Sequence, residues 1–407
     1  MLFARVLQHT IKIGRLTLID AAGKAHVFQG GPGPSQTIRL HDRSLHWRLL
    51  LNPKLAFGEA WMDEKITCED GTIYDMLDLL GRNLAHLERH PSQVWREKLG
   101  RLARLLHSYN PIGRSRRNVA HHYDLSGALY DLFLDKDRQY SCAYFGSDND
   151  NLETAQVNKK LHLAAKLRLE PGQKLLDIGS GWGGLALYLA RLAGVDATGV
   201  TLSTEQHKMS QERAAAAGLS DRVRFFLRDY REQPGPFERI VSVGMFEHVG
   251  AAHYREYFRK VKELLTDDGV MLLHSIGRME PPGSTNPWLR KYIFPGGYTP
   301  ALSEVLRAVE DAGLWVTDME ILRLHYASTL REWRRRFAAN RQKVEALYDA
   351  RFCRMWDFYL AGCEVAFRYM NQMVFQLQLT KRQDAVPLTR DYITEFERAN
   401  AGRVVAA

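Results

Sequence analysis

Glu247 and His248 close an apolar run in VSVGMFEHVG, residues 241–250, and His274 interrupts a second such run, LLHSIG. A carboxylate and an imidazole at the ends of buried strands suit proton transfer or the holding of a small polar reactant. Burial shields both groups from water and moves their pKa values. Each has a plainer reading. Glu247 could cap a helix starting near His253, His248 reads as a structural neighbour, and a histidine on an apolar strand is ordinarily a satisfied core residue. Cys142 reads first as buried packing, and with no tight Cys/His/Glu ligand spacing no metal site is expected.

The second chemical signal is LLDIGSGWGGLA, residues 175–186, a strand ending at Asp177, then glycines 179, 181, 183 and 184, then a helix. Glycine supplies unusual dihedrals and lets a ligand lie against backbone at a helix N-terminus. Read as GxGxxG, the loop fits a dinucleotide fold through Gly179, Gly181 and Gly184. That fold expects an acidic residue at the end of the second strand to hold a ribose. Here the place reads GVTLSTEQ, with Thr201, Ser203 and Gln206, and only Glu205 as an acid. An acid two positions before the first glycine, Asp177, is instead what S-adenosylmethionine-dependent methyltransferases of the doubly wound class carry. FLRDY places Asp229 and Tyr230 at the end of the third strand, where such enzymes hold adenine.

The elements that must position these residues alternate in type. From residue 171 onward, KLLDIG, DATGVTL, VRFFLRDY, RIVSVGMF and GVMLLHSIG read as strands separated by helical periods. Such alternation predicts an α/β fold, a doubly wound Rossmann-like sheet with ligands at the carboxyl ends of its strands. MVFQLQL, 373–379, alternates like one more strand, with Phe375, Leu377 and Leu379 on one face. The first hundred residues mix strand-like pieces (RLTLID, HVFQG, TIRLHD) with the helical TIYDMLDLLGRNLAHLE. The expected division is a smaller mixed α/β accessory domain at 1–107, a linker at 108–117 marked by Pro111, Gly113 and Ser115, and a catalytic domain at 118–407.

With 407 residues, 45% apolar and 25% charged, the chain can bury a large core. No window holds eighteen consecutive apolar residues, and Arg5, Gln8, His9 and Lys12 break the opening run too early for a secretory segment. Four cysteines without a CxxC pair suggest neither a disulfide frame nor structural zinc, so the expected compartment is reducing cytoplasm. A net charge of +9 favours polyanions, namely nucleic acid, anionic membrane or phosphorylated substrates. No recognised nucleic-acid motif is present. Basic residues crowd the stretch from Arg82 to Arg117 and again RRR at 334–336. Trp333, Phe337, Val344, Leu347 and Met355 recur near one helical face, which reads as core packing with a solvated basic side.

Taken together with NVAHHYDLSGALYDLFLDKDRQYSCAYF (118–145) and LHYASTLREW, these motifs resemble, in order and rough spacing, the cyclopropane-fatty-acyl-phospholipid synthases over residues 108–400. The resemblance implies that Tyr123, Ser141, Gly179, Gly181, Thr201, Gln206 and Asp229 contact S-adenosylmethionine. It also implies a bicarbonate held by Cys142, Glu247, His274, the backbone at Ile276, and Tyr326. The implied activity is transfer of a methylene group to a cis double bond of unsaturated phospholipid acyl chains, by a homodimer lying peripherally on the inner, anionic face of a membrane. The alternative is a relative of the same fold that makes a methyl-branched chain or an N-methylated amine.

Overall fold

The computed structural model describes residues 2–84 and 127–401, in two compact units. Tyr123 and the expected linker at 108–117 lie outside the described residues.

Of the described residues, the first unit combines 2–84 with 283–295 and 327–372, two segments that fall within the expected catalytic region at 118–407. Its sheet runs β2-β1-β3-β4, where β1 is Ile13–Ile19, β2 Ala25–Gln29, β3 Gly31–Leu40 and β4 Ile66–Cys68. The period-2 burial of β1 sends Leu16 and Leu18 into a core with Phe28, Ile38 and Leu40. The helix Ile73–Arg82 starts at a capping box between Thr72 and Asp75. The stripe Trp333, Phe337, Val344, Leu347 and Met355 is spread over helices His325–Ala339, Arg341–Leu347 and Ala350–Tyr369. Its first three members are fully buried and Leu347 is exposed, so the packing reading holds for those three. Arg334 pairs with Glu364 and stacks over Tyr74, and Arg335 pairs with Glu332.

The second unit carries the α/β sheet. Its order is β10-β11-β9-β8-β5-β6-β7, with β5 Lys174–Ile178, β6 Asp196–Thr201, β7 Val223–Leu227, β8 Phe237–Val243, β9 Leu265–Arg278, β10 Trp315–Ile321 and β11 Gln372–Thr380. Pairings among β5 to β9 are parallel and β10 runs antiparallel to β11. Alternation along the strands divides the apolar side chains between two faces. Ile240, Met271 and Leu273 pack with helices Tyr254–Leu264 and Leu302–Ala312. Val241 and Leu272 pack with helices Leu152–Leu167 and Gly184–Ala193. The doubly wound architecture is therefore as expected, and β11 is the strand read from MVFQLQL. Among the described residues no helix is long and apolar enough to cross a membrane, none of the four cysteines is in a disulfide, and no cluster could hold a metal ion.

Candidate functional site

The carboxyl ends of β5, β6 and β8 surround a cavity lined by Asp177, Gly179, Gly181, Thr201, Gln206, Asp229 and Tyr230, with Ser141 arriving from the segment before the sheet. The first turn after β5 takes positive φ at Gly179 (85°) and Gly181 (54°), conformations that glycine adopts freely. A Cβ at Gly179 would stand 2.7 Å from that of Met245, whereas one at Gly181 would meet nothing. One glycine therefore serves packing and the other leaves space.

Thr201 Oγ1 donates to Gln206 Oε1 at 3.0 Å, so these two polar residues are prearranged on the wall. Ser203 does not line the cavity; it caps helix Thr204–Ala216, its Oγ accepting from Gln206 N at 3.3 Å. Asp229 is already engaged, accepting from Arg231 Nε at 2.9 Å and Nη2 at 2.7 Å. Tyr140 and Trp182 also line the wall, and Tyr130 packs against both, its ring centroid 5.4 Å from that of Tyr140 and 4.9 Å from that of Trp182.

Asp177 stands out energetically. Burial pushes its carboxyl up to about 7, opposed only by the charge of Lys159, and its Oδ2 has no hydrogen-bond partner. An orphaned buried carboxylate oxygen on a cavity wall is costly unless a ligand satisfies it. A cationic amino group would do so, which fits the amino-acid end of S-adenosylmethionine.

Glu247 lies one turn past β8, in the short helix Phe246–His248, between the cavity-lining residues Met245 and His248. Its Oε1 accepts the Ile276 N–H at 2.7 Å, while Oε2 is buried without a partner. Burial pushes the carboxyl up to about 7 even though that N–H pulls the other way. The Ile276 amide, expected to hold an anion itself, thus orients Glu247.

His274 pairs in register with Val243, the last residue of β8, and β9 continues beyond it to Arg278. It is therefore inside its strand rather than at the end. Burial and nearby cations hold its pKa well below the usual histidine range. Gln376 Nε2 donates to His274 Nδ1 at 3.2 Å, which leaves the neutral ring its proton on Nε2 as a donor. Gln376 was missed in the sequence; its signal was a polar residue in a strand that sits between two others.

Cys142 is buried, its Sγ donating to the Ala143 carbonyl at 3.3 Å, and Tyr326 is buried in the first turn of helix His325–Ala339. Burial lowers His248 to about 4, so its side chain, which lines the cavity, is neutral at neutral pH.

The family model for mycolic acid cyclopropane synthetase matches residues 112–377. A "Probable fatty acid methyltransferase" of Pseudomonas putida is 43% identical over 351 residues, covering 84% of this chain and 86% of that protein. The cyclopropane-fatty-acyl-phospholipid synthase of Escherichia coli K12 is 37% identical over 364 residues, covering 89% and 92%. Among solved structures, a mycolic acid cyclopropane synthase complexed with S-adenosylhomocysteine and CTAB superposes with a TM-score of 0.61 at 35% identity, covering 67% of this chain and 99% of that one.

Proposed function

The chain belongs to the mycolic acid cyclopropane synthetase family and is an S-adenosylmethionine-dependent methyltransferase of lipid, and on that premise we propose that it closes cyclopropane rings on phospholipid acyl chains. S-adenosylmethionine supplies the methyl group as an electrophile on a sulfonium. The π electrons of a cis double bond form the new C–C bond as the C–S bond breaks and S-adenosylhomocysteine leaves. The resulting carbocation closes to a ring only if the transferred methyl loses a proton, so a base must wait nearby in a site closed to water.

The observation that carries this reading is Glu247, a buried carboxylate with one oxygen fixed by Ile276 N and the other unsatisfied beside the cofactor cavity. Direct methylation of an amine has less need of such a group. In this reading the base is a bicarbonate. Glu247, with its unpartnered Oε2, and His274, with its Nε2 proton, would hold such an anion, and Cys142 and Tyr326 would complete its surroundings. Ile276 acts by holding Glu247 in place. Ser141, Gly179, Gly181, Thr201, Gln206, Asp229 and Tyr230, which line the cavity, would receive the cofactor, with Asp177 suited to its ammonium group, and Tyr123 is assigned to it on the family resemblance alone.

The phospholipid substrate is supported by the Escherichia coli relative's name, and the excess of basic side chains favours an anionic membrane surface with the enzyme peripherally attached. Dimerisation is proposed on the family resemblance. A methyl-branched product is the second reading, favoured by the Pseudomonas putida relative's name.

Incubation of the protein with S-adenosylmethionine and vesicles of cis-unsaturated, partly anionic phospholipid tests the proposal by mass spectrometry of the extracted lipid. The expected product gains one CH2 on an acyl chain and shows ring protons far upfield. An unchanged lipid, or a gain without ring protons, contradicts it.

A further inference from the structure

The helix Leu152–Leu167 carries three lysines that are almost entirely buried: Lys159 and Lys166 at 0% exposure and Lys160 at 2%. Two of them are neutralised. Lys160 pairs with Asp137 at 2.7 Å, and Lys166 with Glu320 at 2.5 Å and Asp318 at 3.2 Å. Lys159 is different. Its Nζ donates to two neutral oxygens, Gln139 Oε1 at 2.7 Å and Ser141 Oγ at 2.9 Å, and among the described residues no carboxylate lies within ion-pair distance. A buried cation without a counter-ion is among the costlier features a fold can keep.

The direction of these bonds is informative. An ammonium only donates, so Ser141 Oγ is an acceptor toward Lys159 and its own proton is directed elsewhere. Both Ser141 and Gln139 line the cofactor cavity. The neighbouring helix residue Gln156 fixes the same segment, its Nε2 donating to the Ser141 carbonyl at 3.0 Å and the Gln139 carbonyl at 3.3 Å. The cavity wall at 139–141 is thus a braced pair of polar side chains backed by a positive charge that, among the described residues, no carboxylate pairs with directly.

Resting on the reading that S-adenosylmethionine occupies this cavity, we infer that Lys159 is a positioning residue that makes Ser141 a charge-backed donor for the cofactor's carboxylate. The cofactor's adenine and ribose are neutral and its sulfonium and ammonium are cations, so the carboxylate is its one group complementary to this wall. Asp177, the unsatisfied carboxylate on the same cavity, has the opposite sign and suits the ammonium. The two side chains would then read the zwitterion from its two ends. Burial lowers Lys159 to about 8, with Asp135 and Asp137 raising it and Lys160 lowering it, so most of the population keeps its charge at neutral pH.

The test compares two probes by calorimetry in bicarbonate-free buffer: S-adenosylmethionine and its decarboxylated analogue, which keeps the ammonium and sulfonium. Wild-type protein should bind the first about ten- to a hundredfold more tightly, as a charge-assisted bond to a carboxylate implies. Lys159→Met should remove that preference, weakening S-adenosylmethionine by at least about tenfold more than the analogue, whose ammonium feels Lys159 only through Asp177, and Lys159→Arg should restore part of it. Ser141→Ala should do the same as Lys159→Met, and it decides the matter alone if the buried lysine variant does not fold. Equal weakening of both probes in these variants shows a merely structural role and overturns the inference, as does an unchanged preference. Wild-type protein that binds neither probe removes the cofactor reading itself, and this inference with it.

Discussion

Glu247→Gln is expected to cut turnover on the order of 10²–10³-fold, the usual size of losing one group that stabilises charge at a reacting centre, while S-adenosylmethionine binds as before. The amide keeps the shape of the side chain and its carbonyl oxygen can still accept the Ile276 N–H, which at 2.7 Å is the bond that fixes the rotamer. What changes is the other end. The partnerless Oε2, an acceptor, becomes an NH2 donor, and it then faces a bound anion's hydroxyl with a donor instead of a lone pair. Steady-state kinetics with calorimetric cofactor titration separates the two effects. Activity and cofactor affinity lost together would move Glu247 out of the base-holding role and into the cofactor site.

Asp177→Asn should move stability and binding in opposite directions. The wild-type carboxyl is buried, partnerless on one oxygen, and raised to about 7. A folded-state pKa raised above the unfolded value of 3.8 contributes stability that is fully present below that value and lost as pH rises toward about 7. The asparagine has no charge to desolvate, so the variant's Tm should exceed the wild type's at pH 8, with the difference shrinking toward pH 4. Cofactor affinity should fall about tenfold to a hundredfold at pH 8, the scale of one charged hydrogen bond. Thermal melts across pH with and without S-adenosylmethionine make the check. A variant that is less stable at pH 8, or binds the cofactor unchanged, would show that the carboxylate has another partner.

The parts of the site that were legible in the sequence are those set by local chain chemistry. The glycines after Asp177 announced a turn with positive φ before a helix, and the alternation of apolar runs announced the sheet and its faces. The rest depended on contacts between distant segments. Lys159 and Lys160 in LETAQVNKKLHLAAKL look like the solvated side of an amphipathic helix, and only the packing of nearly the whole helix surface buries them. Gln376 and Gln378 alternate with Phe375 and Leu377 along the strand; β10 makes β11 an interior strand, and the polar face is buried by helices, Gln378 donating to the Lys166 carbonyl and to the Tyr392 hydroxyl while Phe375 and Leu377 enter the core on the other face. The run GVMLLHSIG places His274 at or near the end of its strand, and β9 continues for four more residues, from Ser275 to Arg278. Residues 327–372 were grouped with the catalytic region by position along the chain, and spatial clustering with the N-terminal unit leaves no local mark.

The most direct measurement of the central claim counts hydrogens. The protein is given S-adenosylmethionine carrying a trideuterated methyl group, together with cis-unsaturated phospholipid vesicles, and the product acyl chains are analysed by mass spectrometry and proton spectroscopy. If a base held at Glu247 and His274 removes a proton from the transferred methyl, the lipid keeps two of the three deuterons and shows the upfield signals of a three-membered ring. A lipid that retains all three deuterons, or keeps two without ring signals, would contradict cyclopropane closure while leaving the methyltransferase fold in place.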